Sequence, residues 1–520
     1  MGEVQLLMVQ KLLSFVEQDS ELLPQWKVAF VAGLVALFPL LLTIDLYIDD
    51  IGRAMHGNRG WVRVGRPFAD LLVELLNFGR PATAIAPLHA LLAIALLSFV
   101  GVICARIYGV RSPFWVAMAS LPLMAQPYAL QAMSYGFDSL FMATALAFSI
   151  ISAILIHLQK SWKVILLSLV LQLVSFGLYQ PAANAFLAMS GCLCIGSSLG
   201  LLDRSWSVLS QRWRWLVSAI VYSGGYGAYR LLFALFFEQR LNGYASSAAR
   251  LKPFDGELGT KIVLSAFEQF YVLGRDFSYL PVLLPFLCLF LAYFVLLVRS
   301  RPLSLVFKSL AAMFLILLLA PGGMLLLKDS FVRHPRVLIY FGPLLTNLFL
   351  QVFALSSGLR QRFWRFTVLP LVWLMVAFSY SYGNAFAAQA RFEQSRLSRI
   401  VSAVSVLQFK SSRQPVEYLM VKGAMPRSPI LQNTIRKFPL IDRLIPPLLQ
   451  GSQTFSYQQL KLHGLTLKKR NLDGLEDSLP STCQNSQTSI CTSEFSLQFY
   501  SPDTLYLELA SNPSSARPST

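Results

Sequence analysis

Long apolar segments separated by short basic connections dominate this sequence and constrain its fold more than any other feature. Segments such as 28–44 and 281–298 carry almost no charge, and each approaches the ~20 residues that a helix needs to cross ~30 Å of hydrocarbon. Only 13% of the residues are charged and 55% are hydrophobic, whereas a soluble domain carries about 25% charged residues. The sequence therefore predicts a polytopic α-helical membrane protein.

About eleven transmembrane helices are predicted, and the charges of their connections predict the orientation. The predicted spans are 27–45, 84–105, 112–130, 139–157, 163–180, 182–201, 215–236, 281–299, 305–327, 337–356 and 366–383. The even-numbered connections hold basic residues opposed only by Asp203, namely Arg106, Arg111, Lys160, Lys163, Arg204, Arg212, Arg214, Arg299, Arg301, Lys308, Arg360, Arg362 and Arg365. The positive-inside rule makes these connections cytoplasmic. The net charge of +18 is then explained without a nucleic-acid partner.

The predicted domains follow from the spans. Residues 1–26 form a cytoplasmic amphipathic N-terminus without a cleavable signal peptide, and 27–383 form the transmembrane module. Two outward loops are long, the first at 45–80 and the second at 237–280. Residues 384–510 form an outward α+β domain, because a helical pattern at 384–407 precedes the strand-like segments "VEYLMV", "EFSLQFY" and "TLYLELA". The tail at 511–520 is predicted to be disordered.

The cysteines separate into two groups. Four lie in apolar segments and are predicted to be inert small hydrophobic residues: Cys104, Cys192, Cys194 and Cys288. Cys483 and Cys491 lie in the outward domain. We expect them to pair, because an oxidising compartment permits disulfides.

The first outward loop is unusually rich in charge. If 45–57 is a helix that ends at Gly57, Asp45, Asp49 and Arg53 lie four apart on one face, so Asp49 and Arg53 can pair. Asp50 then points about 100° away and stays free. An ordinary solvated loop with surface ion pairs is the competing interpretation, but charge at membrane-interface depth is costly and tends to be functional.

The same loop continues as a second predicted helix, "RPFADLLVELLNFG". Pro67 suits its first turn and Gly79 its end. An apolar stripe lies opposite two acids, which is typical of a helix lying in the membrane surface. The stripe consists of Phe68, Leu71, Leu72, Leu75 and Leu76.

The residues of this loop carry a resemblance to a known family. "YIDDIGRAMHGNRGWVRVGRPFAD" (47–70) resembles the signature of the bacterial O-antigen glucosyltransferases of the serotype-converting Gtr type, which have a GT-C fold. "QPYALQAMSYGFDSLFMA", "YQPAANAF", "SYGNAFAAQARFEQS" and "GAMPRSPILQNTIRKFPLIDRLIP" match further segments in the expected order. The resemblance covers nearly the whole chain.

The resemblance implies a location, a reaction and partners. It implies a GT-C-like module in the bacterial inner membrane that takes glucose from a polyprenyl-phosphate carrier on the periplasmic face. The acceptor is O-antigen or another surface glycan. Proteins that synthesise and flip the donor are implied as partners, together with membrane lipid. No cofactor is predicted, and a divalent metal stays open. The chain has no GxGxxG, P-loop or zinc-type spacing, which agrees with a lipid-linked rather than a nucleotide-linked sugar donor.

Transfer from a phosphate carrier needs a base for the acceptor hydroxyl, by analogy with glycoside hydrolysis. Asp50 ranks slightly ahead of Asp49, because Arg53 can neutralise Asp49. Asp138 is the second carboxylate, with a helix N-cap as an equal alternative. Arg53, Arg66 and Asp45 are supporting residues of the loop.

Cations must also hold the departing phosphate. Lys328, Arg333 and Arg336 cluster at another outward edge, and Arg230 is a weaker candidate; arginine forks match phosphate, although snorkelling to lipid headgroups is an equal alternative. Tyr179 and Gln180, in a tight outward turn, are candidate sugar contacts.

Two other functions stay open. A GT-C transferase of another sugar or acceptor, such as lipid A or a protein, fits the same features. A flippase of lipid-linked sugars would need polar groups along a path through the membrane, whereas the predicted span centres are almost free of charge.

Overall fold

The structure is a computed structural model. It describes residues 20–43, 46–57, 60–158, 161–203, 211–411, 416–451, 453–472 and 488–509. The chain divides into two compact units. Unit 1 comprises Met1–Leu42, Arg59–Arg80 and Ile85–Ser381, and unit 2 comprises Thr43–Asn58, Pro81–Ala84 and Tyr382–Thr520.

Helices make up most of the described chain. The α-helices are α1 Leu22–Leu42, α2 Asp49–His56, α3 Pro67–Leu76, α4 Leu88–Ile107, α5 Pro113–Ser120, α6 Pro122–Ala125, α7 Pro127–Met133, α8 Ser139–Leu158, α9 Trp162–Leu178, α10 Gln180–Ala183, α11 Ala185–Ser198, α12 Gln211–Phe236, α13 Gly243–Ala248, α14 Leu258–Asp276, α15 Leu280–Ser300, α16 Leu303–Leu319, α17 Phe341–Leu355, α18 Leu369–Ser411, α19 Pro429–Lys437, α20 Leu440–Leu444 and α21 Thr454–Leu462. The 3₁₀ helices are Val62–Val64, Glu238–Arg240, Gly322–Leu326, Phe331–Arg333, Pro335–Tyr340 and Leu359–Val368. The strands are β1 Tyr418–Lys422, β2 Lys468–Lys469, β3 Ser489–Cys491, β4 Phe495–Ser501 and β5 Thr504–Leu509.

Six helices of the described residues are long and apolar enough to cross a membrane. They are Leu22–Leu42, Leu88–Ile107, Ser139–His157, Leu280–Ser300, Pro335–Leu355 and Gln361–Phe409. Three shorter apolar helices are Pro113–Ala125, Trp162–Leu178 and Leu303–Leu319. The fold is therefore that of a mostly helical membrane protein, while the number of eleven spans stays a prediction.

The third predicted span is not one continuous helix. The segment predicted at 112–130 is divided into α5, α6 and α7, each of which has a proline at its first position: Pro113, Pro122 and Pro127. Proline has no N–H for the preceding turn and its ring clashes with a carbonyl four residues earlier, so each proline starts a new helix rather than continuing the old one. The break delivers α7 and its polar residues to the candidate site described below.

The two ends of the helical bundle differ from the predicted boundaries. Helix α1 begins at Leu22, so residues 22–26 belong to the first apolar helix instead of an N-terminal amphipathic segment; residues 1–19 lie outside the described residues. The last predicted span, 366–383, and the helix predicted at 384–407 are parts of one helix of 43 residues, α18. At ~1.5 Å per residue this helix is much longer than the ~30 Å hydrocarbon layer.

Polar side chains join three helices inside unit 1. Ser149 Oγ and Gln172 Nε2 both donate to the carbonyl of Ala183, each at 2.8 Å. Ser175 Oγ donates to the carbonyl of Ala145 at 2.8 Å. All of these residues except Ala183 belong to α8 and α9, so the bonds hold the short helix α10 against this pair. The turn that carries Tyr179 and Gln180 is thereby fixed.

Unit 2 contains a mixed five-stranded sheet in the order β2-β1-β5-β4-β3. Strand β1 pairs in parallel with β2 and β5, whereas β4 pairs antiparallel with β3 and β5. The three segments predicted as strands form β1, β4 and β5. The C-terminal part of α18 packs on the sheet through buried Leu397, Ile400, Val404 and Leu407, and burial of these side chains contributes to the apolar stabilisation of the unit.

The first outward loop is divided between the two units. Residues Thr43–Asn58 belong to unit 2, whereas Arg59–Arg80 belong to unit 1. The sequence analysis predicts 45–80 as one loop of the transmembrane module, whereas in the structure its acidic helix and its second half belong to different units.

Candidate active site

The acidic pair of the loop opens helix α2 in unit 2. Asp49 and Asp50 occupy the first turn, where the helix dipole favours negative charge. Asp45, the start of the helix predicted at 45–57, lies outside the described residues. Ile48, directly before the helix, has φ 47°, a left-handed conformation that is strained for a β-branched residue. Such strain often accompanies functional positions, where the surrounding structure enforces it.

Arg53 faces both aspartates, so it forms the predicted pair with Asp49 and a second pair with Asp50. Its Nη1 lies 3.5 Å from Asp50 Oδ1, and its Nη2 lies 4.0 Å from Asp49 Oδ2. The Asp50 side chain is 1% exposed, whereas that of Asp49 is 55% exposed. The prediction that Asp50 stays free was wrong, because the i,i+3 position reaches the guanidinium as well as the i,i+4 position does. Asp49 is therefore the accessible carboxylate and Asp50 the buried one.

Helix α2 is held firmly within unit 2. The Tyr47 hydroxyl, just before the helix, donates to the carbonyl of Leu444 at 2.6 Å. Gly52 lies directly against the side chain of Gln458, leaving no room for a Cβ. Gly57 ends the helix with φ 59°, and its N–H donates to the carbonyl of Arg53 at 2.8 Å. A helix fixed at both ends presents its acids in a defined direction.

In unit 1, the second half of the loop is fixed through a buried carboxylate. Trp61 is fully buried, and its Nε1–H donates to Asp138 Oδ1 at 3.0 Å. Its ring meets Phe141 edge-on at 5.7 Å. The N–H of Val62 donates to Asp70 Oδ2 at 2.9 Å. The sequence analysis did not single out Trp61 or Asp70, although a tryptophan between two glycines in a charged loop is a usable signal.

The other oxygen of Asp138 faces an arginine. Arg66 Nη1 lies 3.8 Å from Asp138 Oδ2, and the Arg66 guanidinium lies over the ring of Tyr179 at 4.8 Å. The side chains of Arg66 and Asp138 are 15% and 2% exposed. The structure thus brings three predicted residues together and orients Arg66 by both charge and stacking.

Gln180 supports the loop through hydrogen bonds of its side-chain amide. Its Nε2 donates to the carbonyl of Gly65 at 2.6 Å and to the Tyr229 hydroxyl at 3.0 Å. The Tyr229 hydroxyl donates to the same carbonyl at 2.8 Å. Gly65 has φ 79°, a conformation that favours glycine. Gln180 therefore acts on loop geometry in this structure, and its predicted contact with sugar stays a prediction.

Arg336 also belongs to this group of residues, through its contact with Tyr179. The Tyr179 hydroxyl donates to the Arg336 carbonyl at 3.4 Å, and the Arg336 N–H donates to Gln131 Oε1 at 2.8 Å. Its guanidinium bonds to the hydroxyl of Tyr135 and lies over that ring at 4.9 Å. Two arginines, each stacked on a tyrosine, are thus both in contact with Tyr179. We call the set Trp61, Arg66, Tyr135, Asp138, Tyr179 and Arg336 the arginine–tyrosine cluster.

The remaining predicted phosphate ligands are more exposed. Arg333, Lys328 and Arg230 are all exposed at the surface, and the backbone N–H of Lys328 donates to the carbonyl of Arg250 at 2.8 Å. Arg230 follows Tyr229 on α12. Their predicted role in donor binding stays a prediction.

The structure adds one buried acid that sequence reasoning missed. Asp276, at the end of α14 in the second long loop, is 3% exposed and accepts a bond from the Tyr128 hydroxyl at 3.2 Å. Tyr128 shares the short helix α7 with Gln131, which holds Arg336. The acid follows an amphipathic helical pattern in a loop, and that was its only signal in the sequence.

Metal ligands do not gather in the described part of the chain. Within those ranges no group of three or more His, Cys, Asp or Glu side chains has the spacing to hold a metal ion. Cys491 is disulfide-bonded, while Cys483 lies outside the described residues.

Apolar helices of membrane length, with carboxylate and arginine clusters in their connections, are the features of an integral membrane enzyme. The sequence profile described as "Glucosyl transferase GtrII" matches residues 38–347, which is 310 of the 520 residues. The chain belongs to this glucosyltransferase family. Every predicted site residue, from Asp45 to Arg336, lies inside the matched range.

A relative supports the same assignment. The chain is 27% identical over 439 residues to a protein of Salmonella phage P22 named "Uncharacterized 55.3 kDa protein in gtrB 5'region". The match covers 82% of this chain and 87% of the relative. No solved structure matches the chain.

Proposed function

We propose that this protein transfers glucose from a polyprenyl-phosphate donor to O-antigen or a related surface glycan at the periplasmic face of the bacterial inner membrane. The family supports glucosyl transfer, and the relative from the gtrB 5' region of phage P22 agrees with the Gtr-type resemblance of residues 47–70. The observation that carries the proposal is the arginine–tyrosine cluster, in which two stacked arginines and a buried aspartate meet in one unit.

The two arginines suit a lipid-linked phosphate leaving group. A guanidinium offers a planar fork of donors that matches phosphate oxygens and stays charged. The aromatic faces hold the Arg66 and Arg336 guanidinium groups in place, and a planar fork that is already oriented loses little freedom when it binds a phosphate. Asp138 is a positioning residue in this scheme, because its oxygens are occupied by Trp61 and Arg66.

The proton of the acceptor hydroxyl goes to an aspartate of helix α2. Asp49 takes first place over Asp50, because its carboxylate is exposed while that of Asp50 is buried beside Arg53. As the acceptor oxygen bonds to the anomeric carbon, the bond from that carbon to the phosphate oxygen breaks. The proton passes to the carboxylate, and polyprenyl phosphate leaves with the bonding electrons.

A donor carried in the membrane also fits helix α3. Leu71, Leu75 and Phe78 are strongly exposed, at 63%, 71% and 99%. A short amphipathic helix with exposed apolar residues suits the boundary between headgroups and acyl chains, where the phosphate of a polyprenyl carrier would lie.

The direct test is transfer by the purified full-length protein from polyprenyl-phosphate glucose, together with mass analysis of the surface polysaccharide of a deletion strain. Loss of one hexose branch and its restoration by the wild-type gene support the proposal. An unchanged glycan, or transport of lipid-linked sugar without transfer, contradicts it in favour of a flippase.

The orientation is tested separately with reporter fusions. Fusions at residues 110 and 360 are expected to report the cytoplasm, and a fusion at residue 450 the periplasm, because of the basic even-numbered connections. A cytoplasmic report at residue 450 contradicts the periplasmic reaction.

A further inference from the structure

A cavity lined by the connections that are predicted to be cytoplasmic has no part in the proposed reaction, which uses residues of the outward loops. It has a volume of about 470 Å³ in unit 1, within the range of small-ligand sites. Its walls come from four even-numbered connections, those that loop charge predicts to be cytoplasmic, and three arginines line it: Arg111, Arg301 and Arg365.

The cavity is electropositive. Among its described lining residues no aspartate or glutamate occurs, and none of the three arginines forms an ion pair within the described ranges. The neighbouring acid is Asp203, whose Oδ2 lies 3.5 Å from the position that a Cβ on Gly109 would take. Even with one charge offset by Asp203, the lining keeps a positive excess.

Arg106, in one of the same predicted cytoplasmic connections, is an arginine with a structural role. Its Nε donates to Gln25 Oε1 at 2.9 Å, and its Nη1 lies 3.6 Å from Glu21 Oε2. The charge of Arg106 is therefore paired with an acid inside the protein. The cavity arginines have no such acidic partners in the described part of the chain, so general positive-inside placement does not account for their arrangement.

Arg301 provides the most specific observation. Among the described residues its buried Nε has no hydrogen-bond partner, and its Nη1 lies 3.3 Å from the carbonyl of the neighbouring Ser300. A buried donor without a partner is costly, and an arginine that merely met the positive-inside rule would extend into water instead. The same guanidinium lines the cavity, so its Nη groups are the donors that an anion there would use.

Arg365 and the start of a helix add further donors. Arg365 is anchored by bonds from Nε to Ser356 Oγ at 3.4 Å and from Nη2 to the carbonyl of Phe353 at 3.3 Å, which hold its guanidinium at the wall. Ser112 lines the cavity and precedes α5 without making a capping bond. The first N–H groups of a helix have no partners inside the helix and favour anions.

We propose that this cavity is a second ligand site, separate from the glycosyl-transfer site, that binds a phosphate group. The chemistry is a phosphate mono- or diester held by arginine forks. Two sources offer this group, an anionic lipid headgroup of the adjoining leaflet and a soluble phosphate compound, and the experiment separates them.

The test uses the full-length protein in nanodiscs made of phosphatidylcholine. In one arm inorganic phosphate is titrated at constant ionic strength, with chloride as the matched salt. In the other arm phosphatidylglycerol replaces part of the neutral lipid. Thermal stability and lipid counting by native mass spectrometry are the readouts, so neither arm depends on transfer activity.

The variants are matched in charge. Arg301→Gln is expected to weaken the apparent affinity roughly tenfold, because one charge-assisted bond is lost. Arg299→Gln, on the same helix but with its guanidinium over Trp364 and outside the cavity lining, is expected to change the affinity by less than about twofold. Arg111→Gln repeats the test with an exposed side chain, so a loss of affinity can be separated from a loss of folding.

Each outcome is decisive. Saturable stabilisation by inorganic phosphate that Arg301→Gln weakens supports a soluble ligand, and retention of phosphatidylglycerol that the same variant weakens supports a lipid ligand. Equal responses of wild type, Arg301→Gln and Arg111→Gln in both arms overturn the proposal. Because binding is read without glucose transfer, failure here leaves the proposed transferase activity untouched, and the reverse also holds.

Discussion

Replacing Asp138 by asparagine isolates the charge that orients Arg66. Asparagine keeps the shape and leaves an oxygen for the Trp61 N–H, which donates at 3.0 Å, but it removes the negative charge 3.8 Å from Arg66. At that separation, Coulomb's law with an effective dielectric constant of about 20 gives an attraction of about 4 kcal/mol. Because Arg66 is 15% exposed and recovers some hydration, we expect the free energy of unfolding to fall by about 2–3 kcal/mol. This loss is below the ~3–5 kcal/mol seen when fully buried pairs are broken.

The same loss is expected in catalysis if Arg66 holds the donor phosphate. A guanidinium that is no longer oriented loses its fork geometry, so kcat/KM for polyprenyl-phosphate glucose should fall by roughly 30–100-fold, the equivalent of ~2–3 kcal/mol. The assay is glucose transfer by purified protein, with thermal unfolding measured on the same samples. Trp61→Phe, which removes the N–H and part of the buried ring, should lower activity by a smaller factor, about tenfold, through the lost bond and should reduce stability through the cavity it leaves.

Glu74→Gln is the matched control in the same unit. It also removes one carboxylate charge paired with an arginine, but Glu74 and Arg80 are 38% and 70% exposed at 3.4 Å, so the change should cost less than ~1 kcal/mol. If Asp138→Asn folds and matches Glu74→Gln within about twofold in both stability and transfer, the reasoning from the buried pair is refuted.

Three further predictions test other parts of the molecule. Asp49→Asn should abolish transfer with little change in unfolding temperature, and full activity of this variant would show that another residue is the base. Asp50→Asn should destabilise the protein by ~1–3 kcal/mol, because it breaks a buried charge pair. Gly57→Ala should destabilise the protein by at least ~1–2 kcal/mol, because φ is 59° and a Cβ would collide with Pro81. Gly256→Ala is the control and should be nearly neutral, since a Cβ there meets nothing within 4 Å. Equal melting curves of the two variants would contradict this prediction. Cys491, being disulfide-bonded, should resist maleimide labelling until reductant is added, and its replacement by serine should cost ~2–4 kcal/mol; ready labelling without reductant would count against the bond.

Sequence periodicity and charge alone determined the broad architecture and the chemical neighbourhood. Apolar segments of membrane length became helices, since burial of apolar side chains and internal satisfaction of backbone groups leave few alternatives. Helix α3 begins at Pro67 and α2 ends at Gly57, as the sequence predicted, because proline and glycine act through local backbone geometry. The family resemblance found in residues 47–70 agrees with the family that the comparison established.

Only the tertiary structure decided which of the predicted residues meet. Tyr179 and Arg336 are 157 positions apart, and no local pattern links them. The packing of Tyr47 and Gly52 within unit 2 sets the orientation of helix α2. That orientation decides that Asp50 is buried and Asp49 is exposed. Asp276 was missed because its partner Tyr128 comes from a helix that a proline break set apart. Contacts between distant segments depend on shape and burial, which a linear pattern of charges does not contain.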